Sequence, residues 1–324
     1  MEFIVEEKGG RLDKFLASHD TKFSRTEWQR FIKDGAVSVN GRVVTKSALT
    51  LHTHDKLTIL EEKTVGRKGA FRIEPDPGIP LDIVYEDADI LVVNKPAGLL
   101  VHPTFTERRH TLVNALVARY PEIIAVGENP LRAGIVHRLD KDTSGLVVVA
   151  KNQSAFFSTK QQFLDRVIVK KYLALTEGIP NKPEGDITYD IRPSTGNRLR
   201  KVAVKKLEPE KRSRRSAETH YAVKETFGTR FALIDVTPKT GRTHQIRVHL
   251  AAILCPIVGD TLYGGKRKTG LALGLKRHFL HAYYLKLTLP SGKEMTFEIG
   301  LPEDLRRAIG KLTGSSVIPA KAGI

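Results

Sequence analysis

A dense cluster of charged side chains lies in one short segment of this 324-residue sequence. The segment reads His137-Arg138-Leu139-Asp140-Lys141-Asp142-Thr143-Ser144-Gly145. An aspartate beside Thr-Ser-Gly is most often a turn or capping residue. An aspartate surrounded by cations, however, stays ionised, and a carboxylate acts as a covalent nucleophile only in its ionised form. Asp140 is therefore the leading candidate for a catalytic nucleophile.

The spacing of Asp140 and Asp142 raises a second possibility, the hydrolysis of a glycosidic bond by two carboxylates. Positions two residues apart in one loop do not place carboxylates on opposite sides of a sugar, as this reaction requires. Aromatic residues, which are frequent in sugar-binding clefts, make up only 7% of the chain. A carboxylate hydrolase is therefore the weaker interpretation.

The distribution of charge indicates a polyanionic partner. The chain carries a net charge of +17, yet residues 1–62 contain ten basic and ten acidic residues. Residues 191–215 contain ten basic and two acidic residues, Lys211, Arg212, Arg214 and Arg215 among them. A solubilising role alone does not account for this concentration, so we expect a solvated loop that contacts nucleic-acid phosphates. A membrane surface is disfavoured because the stretch has no apolar face to insert.

Several other classes of protein are excluded by composition. The longest apolar runs, such as residues 146–150, have the length of a strand, far short of the roughly 18 residues that a membrane span needs. The N-terminus shows no signal-peptide pattern. Cys255 is the single cysteine, so no internal disulfide or thiolate metal cluster can form. These features predict a cytoplasmic protein.

The histidines do not indicate a metal site. His244 and His249 are five residues apart and so do not share one helical face, as a zinc-binding pair would. We assign His102, His137 and His281 to buried hydrogen bonds. No metal and no cofactor are therefore expected.

The first sixty residues predict a small helix-helix-hairpin module. Apolar residues at helical spacing mark two helices, and the second has a capping-box pattern at Ser24 and Glu27 and a glycine stop at Gly35. Asn40-Gly41 between two valine-rich runs is typical of a type I′ hairpin. A further strand is predicted at residues 56–60. We place this module at residues 1–61 and a Gly- and Pro-containing linker at 62–80.

Beyond residue 81 the pattern predicts an α+β domain. Short strands alternate with a few helices, without regular βαβ repetition, which favours a mixed, largely antiparallel sheet with flanking helices. A strand is expected at residues 134–136, directly before the charged loop, and another from Gly145. We place this catalytic domain at residues 81–302 and a disordered tail, with a weak helix at its start, at 303–324.

The N-terminal module resembles the S4 RNA-binding domain. The matching pieces are Arg11-Leu12-Asp13-Lys14-Phe15-Leu16, Ser24-Arg25, Phe31-Ile32-Lys33-Asp34-Gly35 and Val37-Ser38-Val39-Asn40-Gly41-Arg42. The second helix and the following turn of that family face RNA. The resemblance therefore implies RNA contacts by Arg25, Arg30, Lys33 and Arg42, whereas the neutral charge of the module leaves open that these side chains are simply solvated.

The segment around Asp140 resembles the signature of the RluA-type pseudouridine synthases. It runs from Arg132-Ala133-Gly134-Ile135-Val136-His137 through Gly145-Leu146. Further matching pieces, in family order, are Asn94-Lys95-Pro96-Ala97-Gly98-Leu99-Leu100-Val101-His102-Pro103, Val169-Lys170-Lys171-Tyr172-Leu173-Ala174-Leu175, Thr240-Gly241-Arg242-Thr243-His244-Gln245-Ile246-Arg247-Val248-His249, Gly259-Asp260-Thr261-Leu262-Tyr263-Gly264 and Leu280-His281-Ala282. The resemblance spans residues 84–302.

This resemblance implies that uridine in RNA is isomerised to pseudouridine without a cofactor. Asp140 matches the nucleophile, which attacks either the ribose or the uracil, and Arg247 matches the arginine that pairs with it. We expect Arg247 to direct both prongs of a bidentate fork at Asp140. Tyr172 matches the tyrosine that stacks on the uracil and assists removal of the C5 proton. Arg138 matches the residue that fills the gap left by the flipped nucleotide.

The domain layout implies structured RNA as the partner, large-subunit ribosomal RNA before transfer RNA, and indicates no obligate protein partner. Two alternatives remain open. A non-catalytic RNA-binding protein has no need for Asp140, Tyr172 and Arg247 together, and a nucleoside hydrolase would release free uracil.

Overall fold

The computed structural model describes residues 1–6, 10–20, 23, 25–60, 73–104, 107–197, 199–205 and 214–314. The chain divides into two compact units, Met1–Arg72 and Ile73–Ile324. Ile73 and Ile79, which the sequence analysis assigns to the linker, are buried in the core of the second unit. Within the described ranges, no helix has the length and apolar character needed to span a membrane.

The first unit has the expected helix-helix-hairpin order, preceded by a strand that the sequence analysis missed. Its elements are β1 (Glu2–Ile4), α1 (Leu12–His19), α2 (Arg25–Lys33), β2 (Val37–Val39), β3 (Arg42–Val43) and β4 (Lys56–Ile59). The strands form an antiparallel sheet in the order β1-β4-β2-β3. Asn40 and Gly41 both have positive φ, at 51° and 76°, as a type I′ turn requires. Ser24 lies outside the described residues.

The second unit is built on a nine-stranded sheet in the order β5-β6-β7-β14-β8-β13-β12-β9, with β15 paired to β14. Its strands are β5 (Ile83–Glu86), β6 (Ile90–Lys95), β7 (Ser144–Ala150), β8 (Val169–Glu177), β9 (Glu184–Ile187), β12 (Thr219–Phe227), β13 (Phe231–Pro238), β14 (Leu280–Thr288) and β15 (Glu294–Glu298). Only the β7–β14 pair is parallel among these pairings. The expected mixed, largely antiparallel α+β fold is confirmed.

Helices flank this sheet and add further side chains to its core. They are α3 (Leu112–Arg119), α4 (Gln153–Leu164), α5 (Gln245–Ala252), α6 (Arg267–Ala272) and α7 (Glu303–Thr313), with 3-10 turns at Pro121–Ala125 and Pro130–Arg132. Helix α5 is almost wholly buried along its length, which fixes the direction of its side chains.

Three expectations are corrected by the structure. Residues 134–136 do not form a strand, because Ile135 makes only an isolated bridge to Val149 and Gly134 has a φ of +69°. Residues 303–313 are not a disordered tail, because α7 buries Leu305 and Ile309 in the core. The basic stretch begins as a hairpin of β10 (Asp190–Pro193) and β11 (Lys201–Val204), rather than as a loop throughout.

Gly145 is where the fold brings β7 beside β14. Its φ is +121°, and a Cβ atom there would lie 2.2 Å from the carbonyl oxygen of Ala282. Only glycine permits both the backbone angle and the close approach. Because Asp140 lies in the loop that leads into β7, this contact sets the position of the charged loop relative to β14.

Candidate active site

The loop that carries Asp140 is held by hydrogen bonds from several separate parts of the second unit. The carbonyl oxygen of Lys141 accepts from Gly98 N at 2.9 Å and from Lys95 Nζ at 3.1 Å. Thr143 Oγ1 lies 2.8 Å from His278 Nε2. The loop is therefore fixed directly after Asp140 before any substrate binds.

Lys95 is a fully buried lysine that holds this loop in place by hydrogen bonding. Its Nζ also donates to the carbonyl oxygens of Pro96 and Leu99, at 2.7 and 2.8 Å, so three acceptors surround the amine. Burial lowers the pKa of Lys95 to about 7. Three carbonyl acceptors match the three hydrogens of an ammonium group, which favours the charged form in spite of burial.

His137 has the structural role that the sequence analysis assigned to it. Its Nε2 accepts a hydrogen bond from Val148 N at 3.0 Å, and its ring packs on Phe163 with the ring centroids 4.8 Å apart. Burial lowers the pKa of His137 to about 3, which keeps the ring neutral and able to accept. In the part of the chain that the structure describes, no group of three or more His, Cys, Asp or Glu side chains is arranged to hold a metal ion.

Arg247 of α5 contacts two carboxylates. Its Nη1 donates to Asp140 Oδ2 at 3.1 Å, whereas Nε and Nη2 donate to Asp260 at 2.6 and 2.9 Å. The pairing of Arg247 with Asp140 is as expected, but the bidentate fork is directed at Asp260. Burial opposes the charge of Arg247, yet its hydrogen bonds to Asp260 outweigh burial and raise its pKa above the ordinary value.

Asp260 was missed as a functional residue, although it stands in one of the quoted motifs. Its side chain is 1% exposed. Burial raises the pKa of Asp260, but the hydrogen bonds and charge of Arg247 outweigh it and lower the pKa below the ordinary value. Asp260 therefore fixes the orientation of Arg247, which in turn faces Asp140.

His244 and Tyr263 form a second missed pair beside the same carboxylate. His244 Nε2 lies 3.9 Å from Asp140 Oδ2, and His244 Nδ1 lies 2.8 Å from the Tyr263 hydroxyl. The guanidinium of Arg247 also lies over the Tyr263 ring, with its Cζ atom 5.1 Å from the ring centroid. Both residues occur in quoted motifs, but one lies before α5 and the other well after it, so only the fold brings them together.

Tyr172 lines the same cavity as Asp140, Arg138 and Arg247, which has a volume of about 800 Å³. This lies within the usual range for sites that bind small molecules. Tyr172 is buried, and burial together with the charge of Asp140 raises its pKa above the ordinary value. Its ring is therefore a neutral phenol. Arg138 is exposed to solvent.

Cations surround the cavity at close range. Burial lowers the pKa of Lys170 to about 8. The pKa of Arg242 is below its ordinary value, chiefly because of burial and to a smaller extent because of repulsion from Arg215 and Arg166. Positive charges that repel one another around one opening favour a polyanionic ligand, because phosphates relieve that repulsion.

The other residues selected for RNA contact fall in different places. Arg25 donates twice to the buried Asp13, at 3.0 Å, and Arg30 lies 3.9 Å from Asp34. Lys33 and Arg42 are exposed and have no ion-pair partner among the residues described. Arg215 pairs through its backbone with Ile191 of β10, Arg214 precedes it, and Lys211 and Arg212 lie outside the described residues.

Comparison with known proteins gives consistent matches. The family model described as RNA pseudouridylate synthase matches residues 89–252, and the S4 domain model matches residues 10–57. An uncharacterized RNA pseudouridine synthase of Bacillus subtilis is 39% identical over 95% of each chain. The ribosomal large subunit pseudouridine synthase D of Vibrio parahaemolyticus is 38% identical, over 92% of this chain and 89% of its own.

Solved structures of two human proteins resemble much of the chain. The human RNA pseudouridylate synthase domain containing 4 protein is 27% identical, with a TM-score of 0.56, over 72% of this chain and 93% of its own. The human domain containing 1 protein is 30% identical, with a TM-score of 0.54, over 71% of this chain and 86% of its own.

Proposed function

Because this chain belongs to the RNA pseudouridylate synthase family, we propose that it isomerises uridines of large-subunit ribosomal RNA, with Asp140 as the nucleophile. The enzyme is a pseudouridine synthase, an isomerase that acts on RNA. The role of Asp140 rests on one observation, the 3.1 Å contact of its Oδ2 with Arg247 Nη1 inside the cavity. This contact places a cation against a partly buried carboxylate and orients it for nucleophilic attack.

The Oδ1 atom of Asp140 is the carboxylate oxygen that is available for reaction. Arg247 engages Oδ2, and His244 faces the same oxygen at 3.9 Å. Oδ1 accepts no hydrogen bond from any residue that the structure describes. A carboxylate held by one oxygen presents the other to the substrate with its lone pairs free, so we assign the attack to Oδ1.

Tyr172 is proposed to stack on the target uracil. It is buried in the wall of the cavity that contains Asp140. Its raised pKa makes the phenol a poor proton acceptor in the free enzyme. The geometry therefore supports the stacking role more strongly than the proposed part in removing the C5 proton.

We propose that a base enters the cavity only after it has left its helical stack. Arg138 lines this cavity and is exposed, so its side chain is accessible to the RNA. Unstacking one base costs a few kcal/mol, which contacts that fill the vacated position offset. We propose Arg138 for this role and base flipping as the route of entry.

RNA is proposed to bind through both units. Lys33 and Arg42 in the S4 domain are the freest cations of the four selected there, since Arg25 and Arg30 face Asp13 and Asp34. In the second unit the basic stretch that begins with the β10–β11 hairpin is proposed to contact phosphates. Support for large-subunit ribosomal RNA comes from relatives named for it in Vibrio parahaemolyticus and Zymomonas mobilis.

Mapping of pseudouridines tests the proposed target. Ribosomal and transfer RNA from a strain lacking the gene should lack one or more large-subunit pseudouridines that the parent strain contains. Complementation with the unchanged gene or with Asp142→Asn should restore them, and Asp140→Asn should not. Loss confined to transfer RNA would reject the proposed substrate but keep the enzyme class.

A further inference from the structure

His244 occupies a strained position next to the nucleophile. It precedes α5 with φ 58° and ψ 20°, in the left-handed region. Such a conformation is unfavourable for a non-glycine residue, and strain of this kind concentrates at functional sites. The side chain is 18% exposed, lines the cavity and brings Nε2 to 3.9 Å from Asp140 Oδ2. No role in the proposed mechanism accounts for this placement.

The hydrogen bonds around Tyr263 determine which nitrogen of His244 carries the proton. The Tyr263 hydroxyl accepts from Lys201 N at 2.8 Å and lies 2.8 Å from His244 Nδ1. If Nδ1 carried the proton, the hydroxyl hydrogen of this buried tyrosine would have no acceptor among the residues that the structure describes. If the hydroxyl instead donates to Nδ1, every group is satisfied and the proton of the neutral ring lies on Nε2.

The groups that face His244 support the same assignment. They are Asp140, Arg247, Asp260, Tyr263 and Lys201. Burial lowers the pKa of His244, although the charge of Asp140 opposes it, so the ring is neutral near pH 7. An unprotonated Nε2 would point its lone pair toward the negative Asp140 carboxylate, which is unfavourable. An Nε2–H group is therefore directed into the cavity beside the nucleophile.

We propose that the Nε2–H group of His244 donates a hydrogen bond to a carbonyl oxygen of the target uracil and stabilises the negative charge that develops there. This rests on the proposed function, since it requires a uridine beside Asp140. A neutral imidazole acts as an electrophile of this kind in other enzymes, and it does so without adding a cation next to an existing one. Here the existing cation is Arg247.

Charge develops on the uracil by either route open to Asp140. If Oδ1 attacks C1′, a C–O bond forms, the C1′–N1 bond breaks, and its electron pair leaves with the uracil, whose O2 and O4 share the charge. If Oδ1 attacks C6, an O–C6 bond forms and the C5–C6 π electrons move onto the O4 carbonyl, after which the C1′–N1 bond breaks with its electron pair left on N1. C5 later bonds to C1′, Asp140 is released, the C5 proton leaves and N1 gains a proton. A donor at a uracil carbonyl therefore assists both routes.

Two other donors next to Asp140, Arg247 and Thr143, are already engaged. Arg247 directs its guanidinium nitrogens to Asp260 and Asp140, and Thr143 Oγ1 bonds with His278. A carbonyl oxygen needs a donor, whereas the ribose 2′-hydroxyl can itself donate to a carboxylate. The Nε2–H of His244 is thus matched to the uracil rather than to the ribose.

Single-turnover kinetics on a transcript of the mapped large-subunit RNA site test this role. His244→Leu should slow pseudouridine formation about 10²-fold, the effect typical of losing one such donor, while the RNA Kd stays within about three-fold. His244→Gln, which retains an N–H donor, should recover a large part of the rate. The exposed His110→Leu serves as the matched control and should react like wild type.

A modified target nucleotide identifies the oxygen that His244 contacts. Because sulfur accepts hydrogen bonds weakly, 2-thiouridine or 4-thiouridine at the target should slow wild type but not slow His244→Leu further. A 2′-deoxyuridine target should slow both equally. Three results would overturn the proposal. They are a rate for His244→Leu within about three-fold of wild type, a loss confined to RNA binding, and a dependence of the His244→Leu effect on the 2′-hydroxyl alone. An inactive wild type would instead reject the proposed substrate.

Discussion

Asp260 accepts two hydrogen bonds from Arg247, at 2.6 and 2.9 Å, and so leaves only Nη1 of the guanidinium to face Asp140. This arrangement explains how one arginine holds a nucleophile without covering both of its oxygens. An arginine directed at Asp140 alone would form a two-pronged pair and obstruct both lone-pair faces. The orientation of Arg247 is therefore set by Asp260, a carboxylate that does not line the cavity.

Replacing Asp260 should reduce both activity and stability. Asp260→Asn removes the charge that neutralises buried Arg247, and breaking a buried pair in this way lowers the free energy of unfolding by about 3 kcal/mol. Arg247 should then turn toward Asp140, and we expect the single-turnover rate to fall about ten-fold or more while the RNA Kd changes little. Denaturant unfolding and single-turnover kinetics measure the two effects. The exposed Asp186→Asn is the control, and an Asp260→Asn enzyme with wild-type rate and stability would contradict the assigned role.

Gly145→Ala should destabilise the second unit. The new Cβ would lie 2.2 Å from the Ala282 carbonyl oxygen, and the alanine would have to adopt a φ of +121°. Gly98→Ala is a matched control, because its φ is +83° but nothing lies within 4 Å of the new atom. We expect a loss of about 1 kcal/mol for Gly98→Ala and about 3 kcal/mol or more for Gly145→Ala. Equal losses in denaturant unfolding would show that the close approach of β7 to β14 is unimportant.

The first unit should lose stability in acid through Asp13. Burial raises the pKa of Asp13, but hydrogen bonds from Arg11, Gln29 and Arg25 outweigh it and lower the pKa from 3.8 to about 2. A lowered carboxyl pKa stabilises the fold above pH 4 and ceases to do so as the pH falls toward 2. Asp13→Asn should therefore unfold more easily than wild type at pH 7, with the difference shrinking below pH 4.

Fluorescence of Trp28 measures this effect within the intact protein. Trp28 is the single tryptophan of the chain and is fully buried in the first unit, so its emission reports that unit alone. The exposed Asp34→Asn serves as a comparison. A stability difference between Asp13→Asn and wild type that stays constant from pH 7 to pH 2.5 would argue against this linkage.

The basic stretch should govern the salt dependence of RNA binding. Neutralising Lys211, Arg212, Arg214 and Arg215 should weaken binding and reduce the magnitude of the slope of log K against log salt by about 1 or more. The rate of the bound complex should be unchanged, because the Asp140 site is intact. Neutralising Lys266, Arg267, Lys268 and Lys276 near α6 removes the same charge and should have a smaller effect. An equal slope for wild type and the first variant would exclude phosphate contacts by the stretch.

Local patterns predicted local structure well. The predicted turn at Asn40-Gly41 was correct, and apolar residues at helical spacing correctly indicated α1 and α2. By contrast, Gly134-Ile135-Val136 has the composition of a strand, but the left-handed φ of Gly134 ends the pairing after one bridge. Helix α7 looked weak because its charged face dominates the sequence, although Leu305 and Ile309 anchor it in the core.

The site was predicted only in part, because some of its contacts join segments that are distant in the sequence. The pairing of Asp140 with Arg247 followed from family resemblance, but the fork to Asp260 depends on the turn at Gly259. Gly259 has a φ of +78°, and a Cβ atom there would lie 2.3 Å from the carbonyl oxygen of Arg277. No periodicity records such a contact between distant segments. His244 and Tyr263 were likewise visible as motif residues, but their hydrogen bond exists only in the folded chain.

The central claim is that Asp140 performs the isomerisation in RNA. Release of tritium from large-subunit ribosomal RNA carrying 5-tritiated uridine, followed for wild type, Asp140→Asn and Asp142→Asn, tests it most directly. Wild type and Asp142→Asn should release tritium and form pseudouridine at similar rates, whereas Asp140→Asn should bind the RNA normally and release none. Equal release by Asp140→Asn, or free uracil in place of pseudouridine from wild type, would contradict the account.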